Sequence, residues 1–324
     1  TYQASTGQAS CTDASAGYYV DSTAATAQTA CAAGTYQAST GQASCQNADS
    51  GHYVPTTAST GQNACATGTY QPSAGQTSCL EASAGYYVDS TAATAQTACS
   101  AGTYQPSTGQ ISCIDASAGY YVSSIGSSTQ TACSVGTYQP SSAQTNCINA
   151  DAGHYVPSTA ATTQTACDTG TYQPSSGQTN CTDASSGYYV ANSGSASQTA
   201  CALGTYQPNT GQSSCLNADA GYYVDSSASI SQTACQAGTY NPDTASTNSS
   251  ACIDASAGYY VPSTGSASQT ACAIGTYQAS TGQSSCTDAS AGHYVDSTAA
   301  TSQIACTAGT YQPNTGQTTC INAS

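Results

Sequence analysis

The stretch from Cys99 to Cys113 reads CSAGTYQPSTGQISC, and close copies of it recur along the chain. Residues 103–105 (Thr-Tyr-Gln) tolerate a β-strand, residues 106–109 (Pro-Ser-Thr-Gly) have the composition of a turn, and residues 110–113 can return antiparallel. This pattern predicts a short β-hairpin. We expect Cys99 and Cys113 near its open end, where the two Cβ atoms can reach bonding distance.

The spacing of the cysteines shows that the hairpin belongs to a tandem repeat. Gaps of 20 and 14 alternate along the chain, with one gap of 17, and together they give a period of 34. Each period holds two related halves of about equal length, which share the frame G-x-Y followed by Q-x-x-C. We therefore expect residues 1–324 to form a single array that begins and ends in mid-repeat. The longer gap, 235–252, has a three-residue insertion in the hairpin loop.

The composition does not allow a conventional hydrophobic core. Leu, Ile and Val number 22 of 324 residues, and Phe, Trp and Met are absent. Chains with less than roughly 20 % large apolar residues normally stay disordered. The 19 cysteines supply another source of stability in an oxidising compartment, which predicts an extracellular, secreted or cell-surface protein. The predicted fold class is mainly β: a disulfide-stapled tandem repeat of short β-hairpins forming an elongated rod or solenoid, with no helices and no large hydrophobic core.

The charge of the chain excludes two kinds of partner. Lys and Arg are absent and Asp plus Glu number 15, so no side chain of the chain except histidine can neutralise a phosphate. Nucleic acid and anionic membrane surfaces are therefore not expected as direct partners. No apolar run approaches the length of a membrane span, so we expect no membrane insertion in this segment. Because no Met begins the chain, we expect it to be part of a longer one.

The pattern C-x-x-G-T-Y-x-P-x-x-G-Q-x-x-C resembles the ephrin-receptor-like cysteine-rich repeat, which is related to the modules of tumour-necrosis-factor and growth-factor receptors. The resemblance covers the whole chain and implies a scaffold rather than an activity. The family closes each hairpin with C-x-x-C before the next G-x-Y. Here Ala and Gln occupy the alternate cysteine positions, as at Ala14, Ala48, Ala82, Gln28, Gln62 and Gln96. Every second disulfide of the family is therefore missing as a pair.

The family's pairing, carried over, joins the cysteines across the shorter gaps and leaves Cys11 unpaired within the chain. The implied pairs are Cys31–Cys45, Cys65–Cys79, Cys99–Cys113, Cys133–Cys147, Cys167–Cys181, Cys201–Cys215, Cys235–Cys252, Cys272–Cys286 and Cys306–Cys320. A rival register pairs across the longer gaps and leaves Cys320 alone. Spacing does not decide between them. The hairpin pattern and the resemblance both favour the shorter loops.

Tyrosine is the one aromatic residue type, with 25 copies, and one copy per half-repeat occupies the third position of G-x-Y. We expect these rings to stack on the disulfide or the ring of the next module. The predicted stacking residues include Tyr36, Tyr53, Tyr70, Tyr87, Tyr104 and Tyr121. The alternative is an exposed row of tyrosines for ligand binding or oxidative cross-linking.

No catalytic, cofactor-binding or metal-binding residue is predicted. His52, His154 and His293 occupy a position that other repeats fill with Tyr, so this position does not require a metal ligand or a general base. A carboxylate recurs shortly after most hairpin-closing cysteines, which is compatible with a calcium ladder or with turns capped by Asp. Single acids about one repeat apart favour the turns. The chain is not expected to be an enzyme, and no cofactor is expected.

The sequence offers candidate attachment sites for covalent glycans. Asn248, Asn322 and Asn180 begin Asn-x-Ser/Thr triplets, and Asn248 lies in the enlarged loop. Asn180 is the weakest candidate because the middle residue of its triplet is Cys181. Ser and Thr make up 101 of 324 residues, a composition that suits O-glycosylation and equally suits small, soluble β and turn residues.

Two functions remain open at the level of the sequence. The near-identical repeats favour a structural building block of an extracellular filament or surface appendage, such as a flagellar hair, sheath or cell-wall fibre, which associates with copies of itself. The alternative is the stalk or ligand-binding ectodomain of a cell-surface receptor or adhesin. That alternative predicts one or two divergent repeats with distinctive anchors, and the one divergent segment is the loop at 243–251.

Overall fold

The computed structural model describes residues 1–323 and shows a chain built from two-residue β-strands. The strands pair as 18 two-stranded antiparallel sheets, and a single bridge joins Tyr2 to Thr12. Over residues 1–323 there is no α-helix, and the one helical turn is the 3-10 helix η1 at Ser249–Ala251. None of these residues forms a helix that is long and apolar enough to span a bilayer. The predicted class, mainly β with hairpins stapled by disulfides, is confirmed.

The chain divides into two compact units, Thr1–Ala150 with Val156–Gln164, and Asp151–Tyr155 with Thr165–Ser324. The strands of the first unit are β1 Tyr18–Tyr19, β2 Thr29–Ala30, β3 Thr35–Tyr36, β4 Gln46–Asn47, β5 His52–Tyr53, β6 Asn63–Ala64, β7 Thr69–Tyr70, β8 Leu80–Glu81, β9 Tyr86–Tyr87, β10 Thr97–Ala98, β11 Thr103–Tyr104, β12 Ile114–Asp115, β13 Tyr120–Tyr121, β14 Thr131–Ala132, β15 Thr137–Tyr138 and β16 Ile148–Asn149. The strands of the second unit are β17 His154–Tyr155, β18 Thr165–Ala166, β19 Thr171–Tyr172, β20 Thr182–Asp183, β21 Tyr188–Tyr189, β22 Thr199–Ala200, β23 Thr205–Tyr206, β24 Leu216–Asn217, β25 Tyr222–Tyr223, β26 Thr233–Ala234, β27 Thr239–Tyr240, β28 Ile253–Asp254, β29 Tyr259–Tyr260, β30 Thr270–Ala271, β31 Thr276–Tyr277, β32 Thr287–Asp288, β33 His293–Tyr294, β34 Ile304–Ala305, β35 Thr310–Tyr311 and β36 Ile321–Asn322.

The hairpin of the opening stretch, β11–β12, differs from the sequence prediction in its return strand. Tyr104 pairs with Ile114 and Thr103 with Asp115, so the chain returns after Cys113 and not over residues 110–113. The buried Gln105 side chain spans the intervening loop: its Nε2 donates to the Ser112 carbonyl at 2.8 Å and its Oε1 accepts from the Ser107 N–H at 3.2 Å. The loop residues are thus held by one amide side chain instead of by strand pairing.

Main-chain hydrogen bonds join each hairpin to the next within a unit. The Gly102 N–H donates to the Val122 carbonyl at 2.8 Å, and the Gln105 N–H donates to the Ser127 carbonyl at 3.1 Å. Gln105 also accepts at its own carbonyl from the preceding hairpin, from the Gly85 N–H at 2.8 Å. The two-residue strands therefore do not leave open edges, because the neighbouring hairpins satisfy the backbone groups that a longer sheet would pair.

A second layer of contacts joins each hairpin to the next but one. The tip of the β15–β16 loop is Ala143, whose N–H donates to the Ala116 carbonyl at 2.8 Å. The Ala143 carbonyl packs directly on Gly102, at the start of β11–β12, where a built Cβ would overlap it. Gly102 has φ +86° and Ala143 has φ 58°, both in the left-handed region. The seventh residue after the glycine of G-x-Y is Gly or Ala throughout the chain, which fits this close approach.

The buried interior of each hairpin is narrow. Every third residue of the segment that enters a hairpin is buried, as in Cys99, Gly102 and Gln105. Ala, Gly and Val take these positions in the alternate hairpins. Over residues 1–323 no buried side-chain nitrogen or oxygen lacks a hydrogen-bond partner. Small side chains and satisfied amides therefore replace the large apolar core that the composition cannot supply.

Candidate functional site

Residues 1–323 contain nine disulfides, and all of them join cysteines across the shorter gaps. The bonded pairs are Cys31–Cys45, Cys65–Cys79, Cys99–Cys113, Cys133–Cys147, Cys167–Cys181, Cys201–Cys215, Cys235–Cys252, Cys272–Cys286 and Cys306–Cys320. The Cα–Cα distances run from 5.5 Å for Cys235–Cys252 to 5.8 Å, within the usual range for a disulfide. Cys11 is exposed and has no disulfide partner among residues 1–323.

Each disulfide joins two neighbouring hairpins. Cys99 directly follows β10, and Cys113 directly precedes β12 on the loop side of its hairpin. The expectation that both cysteines lie at the open end of one hairpin is therefore wrong for Cys113. Because the return strand starts later than predicted, the bond fastens hairpin β9–β10 to the loop of β11–β12 instead of closing β11–β12 on itself.

The hairpins without a cysteine are fastened at the same place by glutamine. Gln130 occupies the position that Cys113 has in the hairpin before, and its Oε1 accepts from the Ser117 N–H at 2.7 Å. Ser117 follows Ala116, which stands at the position of Cys99. The same bond, at 2.6 to 2.7 Å, recurs at Gln28, Gln62, Gln96, Gln198, Gln232, Gln269 and Gln303.

We call the two types cystine hairpins and glutamine hairpins. The cystine hairpins are β3–β4, β7–β8, β11–β12, β15–β16, β19–β20, β23–β24, β27–β28, β31–β32 and β35–β36. The glutamine hairpins are β1–β2, β5–β6, β9–β10, β13–β14, β17–β18, β21–β22, β25–β26, β29–β30 and β33–β34. The missing family disulfides thus leave no gap in the structure, because a side-chain amide bonds to the backbone where the second sulfur pair is absent.

The predicted stacking tyrosines are all half-buried and all end the first strand of a hairpin. They are Tyr36, Tyr53, Tyr70, Tyr87, Tyr104 and Tyr121. Tyr87 lines the same surface hollow as Cys113, and Tyr121 lines one with Cys147. Each of these two tyrosines thus lies beside the disulfide that belongs to the following cystine hairpin. Stacking of the rings stays a prediction.

Sequence reasoning missed the aliphatic residues that face these tyrosines. In most cystine hairpins a Leu or Ile directly after the second cysteine pairs across the strands with Tyr, as Ile114 does with Tyr104. In the first unit this aliphatic set is Leu80, Ile114 and Ile148, which are 44–47 % exposed. The signal in the sequence was the recurrence of Leu or Ile at one strand position in successive periods, in a chain with few such residues.

The acidic side chains and the histidines contact other parts of the scaffold, as Asp49, Glu81 and His52 do. Over residues 1–323 no three His, Cys, Asp or Glu side chains lie close enough together to hold a metal ion. The carboxylate of Asp49 accepts from the Gln62 amide at 2.6 Å, and that of Glu81 accepts from the Thr108 hydroxyl at 2.8 Å. These carboxylates bond to side chains of the scaffold instead of forming the expected Asp-capped turns. The His52 ring lies 3.4 Å from the Ser50 carbonyl, as a surface side chain.

The surface of the described residues has several hollows. One of about 620 Å³ lies between residues 1–6 and the loop 20–26, with Cys11 at its wall. Asp21 is its one acidic side chain, and it contains no histidine.

The three asparagines of the Asn-x-Ser/Thr triplets lie in different settings. Asn248 is exposed in the enlarged loop and caps η1, where its Oδ1 accepts from the Ser250 N–H at 3.0 Å. Asn180 is exposed next to the bonded Cys181. Asn322 lies in β36, and the last residue of its triplet is outside the described residues.

Comparison with known families finds similarity in three segments. The family model described as "Tyrosine-protein kinase ephrin type A/B receptor-like" matches residues 51–99, 187–235 and 258–306. Each segment starts at the glycine of a glutamine hairpin, ends at a cysteine and encloses one complete disulfide. The resemblance to the ephrin-receptor-like repeat is thereby confirmed for these segments. A search of curated proteins found no match. The disulfides and the receptor-like repeats indicate an extracellular module, either receptor-like or structural.

Proposed function

We propose that the chain is a non-enzymatic structural building block of an extracellular filament or surface appendage, and that it associates with copies of itself. The observation that carries this proposal is the uniformity of the bonding. Within each unit the same main-chain bonds run from a hairpin to the next and to the next but one, as from Gly102 to Val122 and from Ala143 to Ala116. A material needs such equivalent, redundant connections, whereas a recognition site needs distinctive ones.

Departures from uniformity are few, which supports the structural role. The enlarged loop after β27 is the main one. There Asn241 replaces the buried Gln, and its shorter amide donates to the Tyr222 carbonyl at 2.9 Å and to the Ser246 hydroxyl at 2.8 Å. The buried position keeps its function of holding the loop, because the replacement amide is again fully bonded. The loop carries no exposed aromatic or cationic anchor of the kind that dominates binding interfaces.

The aliphatic set of the first unit supports contact with another copy. Leu80, Ile114 and Ile148 recur once per period beside half-buried tyrosines, so the partner that matches all three best has the same period. A second copy of this chain meets that condition. The net charge of −15, without any Lys or Arg, opposes close approach of copies at low ionic strength. Added salt screens this repulsion, so association is expected to strengthen as ionic strength rises.

Sedimentation and electron microscopy of the purified chain test this proposal. The triple variant Leu80→Ser, Ile114→Ser, Ile148→Ser is expected to lose salt-promoted assembly. The control changes Ile111, Ile125 and Ile230 to Ser, because these residues are more exposed than the set, at 56, 74 and 56 %, and lie outside it. Chains that stay monomeric at every salt concentration and on the native cell surface would overturn the structural role.

A second function is favoured by the family match. The three segments similar to ephrin-type receptors suit the stalk or ligand-binding ectodomain of a cell-surface receptor or adhesin. Cross-linking on the native cell surface separates the two proposals: a building block yields products between copies, and an ectodomain yields one product with a different protein.

A further inference from the structure

The enlarged loop presents one asparagine side chain in a conformation that the rest of the array does not repeat. The loop holds the triplet Asn248-Ser249-Ser250, and all three residues are exposed. It is also the one place within residues 1–323 where a 3-10 helix forms. The three-residue insertion thus creates a turn of its own while the flanking strands β27 and β28 keep their pairing.

The hydrogen bonds of this turn expose one particular atom. Oδ1 of Asn248 accepts both from the Ser250 N–H, at 3.0 Å, and from the Ser250 hydroxyl. Nδ2 of Asn248 has a single long contact, 3.4 Å to the Thr247 hydroxyl. The carboxamide oxygen therefore accepts two bonds from Ser250, and the nitrogen of this exposed residue keeps an N–H for which no bond is seen.

The other two triplets do not reproduce this arrangement. At Asn180 the next residue, Cys181, is bonded to Cys167, and Thr182 is paired with Tyr172 in β20. The Asn180 carbonyl also accepts from the buried Gln173 amide at 2.9 Å. The backbone of this triplet is thus fixed by a disulfide and by strand pairing, so the threonine cannot fold back on the asparagine. Asn322 lies within the paired strand β36.

We propose that Asn248 is an N-glycosylation site, and that the structure distinguishes it from Asn180. The donor class is an oligosaccharide linked to a lipid through a diphosphate. Nδ2 of Asn248 forms the new bond to the anomeric carbon, and the bond from that carbon to the diphosphate oxygen breaks. The lipid diphosphate leaves with the electron pair, and the Nδ2 proton passes to a base of the transferring enzyme. No oxidant or reductant is needed.

A glycan here gives a uniform array one chemically distinct point. Asn248 is exposed, and its side-chain hydrogen bonds go to Thr247 and Ser250 of its own loop, so the side chain is not tied to a neighbouring hairpin. The modification is independent of the filament or receptor role, because either role places the chain outside the cell.

To test this, the full 324-residue chain is expressed as a secreted protein in a eukaryotic cell. The purified chain is digested with an Asp-directed protease, and its glycans are mapped by mass spectrometry. We expect the peptide with Asn248 to be glycosylated and to lose its glycan on treatment with peptide N-glycosidase. The variants Asn248→Gln and Ser250→Ala should both abolish the modification. The matched variants Asn180→Gln and Ser249→Ala should leave it unchanged.

Folding is checked in the same samples through the Cys235–Cys252 bond, which encloses the loop and is read from non-reduced peptides. A bare Asn248 in protein with this bond intact would overturn the proposal. Glycan on Asn180 at equal occupancy would overturn the selectivity that the structure assigns.

Discussion

Cystine hairpins and glutamine hairpins share one backbone frame but fasten it differently. In β11–β12 the fastening is the covalent bond between Cys99 and Cys113, and in β13–β14 it is the 2.7 Å hydrogen bond from the Ser117 N–H to Gln130. In both, the first residue of the entering segment is completely buried, as Cys99 or Ala116. In both types, the glycine of G-x-Y packs against the loop tip of the next hairpin but one.

The comparison shows that the frame does not need a disulfide at every step. The close approach of a loop tip to a glycine and the main-chain bonds between hairpins are identical in the two types, so these features define the geometry. A disulfide adds stability mainly by restricting the unfolded chain. One disulfide per period is therefore enough to hold the frame, provided that a glutamine bonds to the backbone in the alternate hairpin.

The largest expected effect is that of removing all disulfides together. Each 14-residue loop contributes about 3 kcal/mol by the chain-entropy estimate, and the narrow interior offers little to offset their loss. We expect the reduced and alkylated chain to lose amide-exchange protection in both hairpin types. The control is the chain treated with alkylating agent alone. Protection that survives in the glutamine hairpins after reduction would show that they fold without their covalent neighbours.

Next in size is the effect of filling the contact between a glycine and a loop tip. Gly102→Ala places a Cβ on the Ala143 carbonyl and should cost about 3 kcal/mol or more, since the backbone of the tip has to move. Gly309 has a similar φ of +86° but nothing within 4 Å of its Cβ position, so Gly309→Ala should cost only about 1–2 kcal/mol of backbone strain. Chemical denaturation of the two variants measures the difference. Equal losses would mean that the tip contact does not constrain the frame.

A third effect follows from converting one hairpin type into the other. The double variant Ala116→Cys, Gln130→Cys should form a tenth disulfide and stabilise the chain by up to about 3 kcal/mol. Peptide mapping without reduction detects the bond, and thermal unfolding measures the gain.

The reverse conversion serves as the control. Cys99→Ala with Cys113→Gln should be more stable than Cys99→Ala with Cys113→Ala by about 1 kcal/mol, the usual contribution of one hydrogen bond. Free thiols at 116 and 130 under oxidising conditions would show that the two hairpin types differ in backbone geometry.

The smallest effects distinguish the two roles of glutamine. Gln105 is 4 % exposed and bonds at both ends of its amide, so Gln105→Ala removes two hydrogen bonds at once and should cost about 2 kcal/mol. Gln130→Ala removes one exposed bond and should cost about 1 kcal/mol. Denaturant midpoints of the two single variants give the ranking. A larger loss for Gln130→Ala would contradict the assignment of the buried amide as the main support of the loop.

The hairpins were predictable because their signals are local. The segment 99–113 contains all of them: Gly-Thr-Tyr, the Pro-Ser-Thr-Gly run and the two cysteines at its ends. The same signals recur in each period of the chain. The return strand was misplaced because residues 110–113 have acceptable β composition. Their loop is held by Gln105, a contact that strand propensity does not register.

The candidate sites were predictable to a smaller extent. The Asn-x-Ser/Thr triplets were visible in the sequence, but the turn that separates Asn248 from Asn180 depends on which residues the folded chain pairs. The recurrence of the aliphatic set was visible in the sequence. That its members lie beside the tyrosines is known only from the strand pairing, as of Ile114 with Tyr104. The role of Gln130 as a replacement for a cysteine required the position of the Ser117 N–H.

By itself, the sequence determined that the chain repeats, that it folds as small β-hairpins and that sulfur bonds must compensate for a missing core. Composition and short-range spacing are sufficient for these conclusions. Only the tertiary structure decided which hairpins each disulfide joins and why the seventh residue after the frame glycine is always Gly or Ala. The physical reason is distance along the chain. Gly102 and Ala143 are far apart in the sequence and meet through their backbones, and a contact between two backbones cannot be predicted from a pattern of side chains.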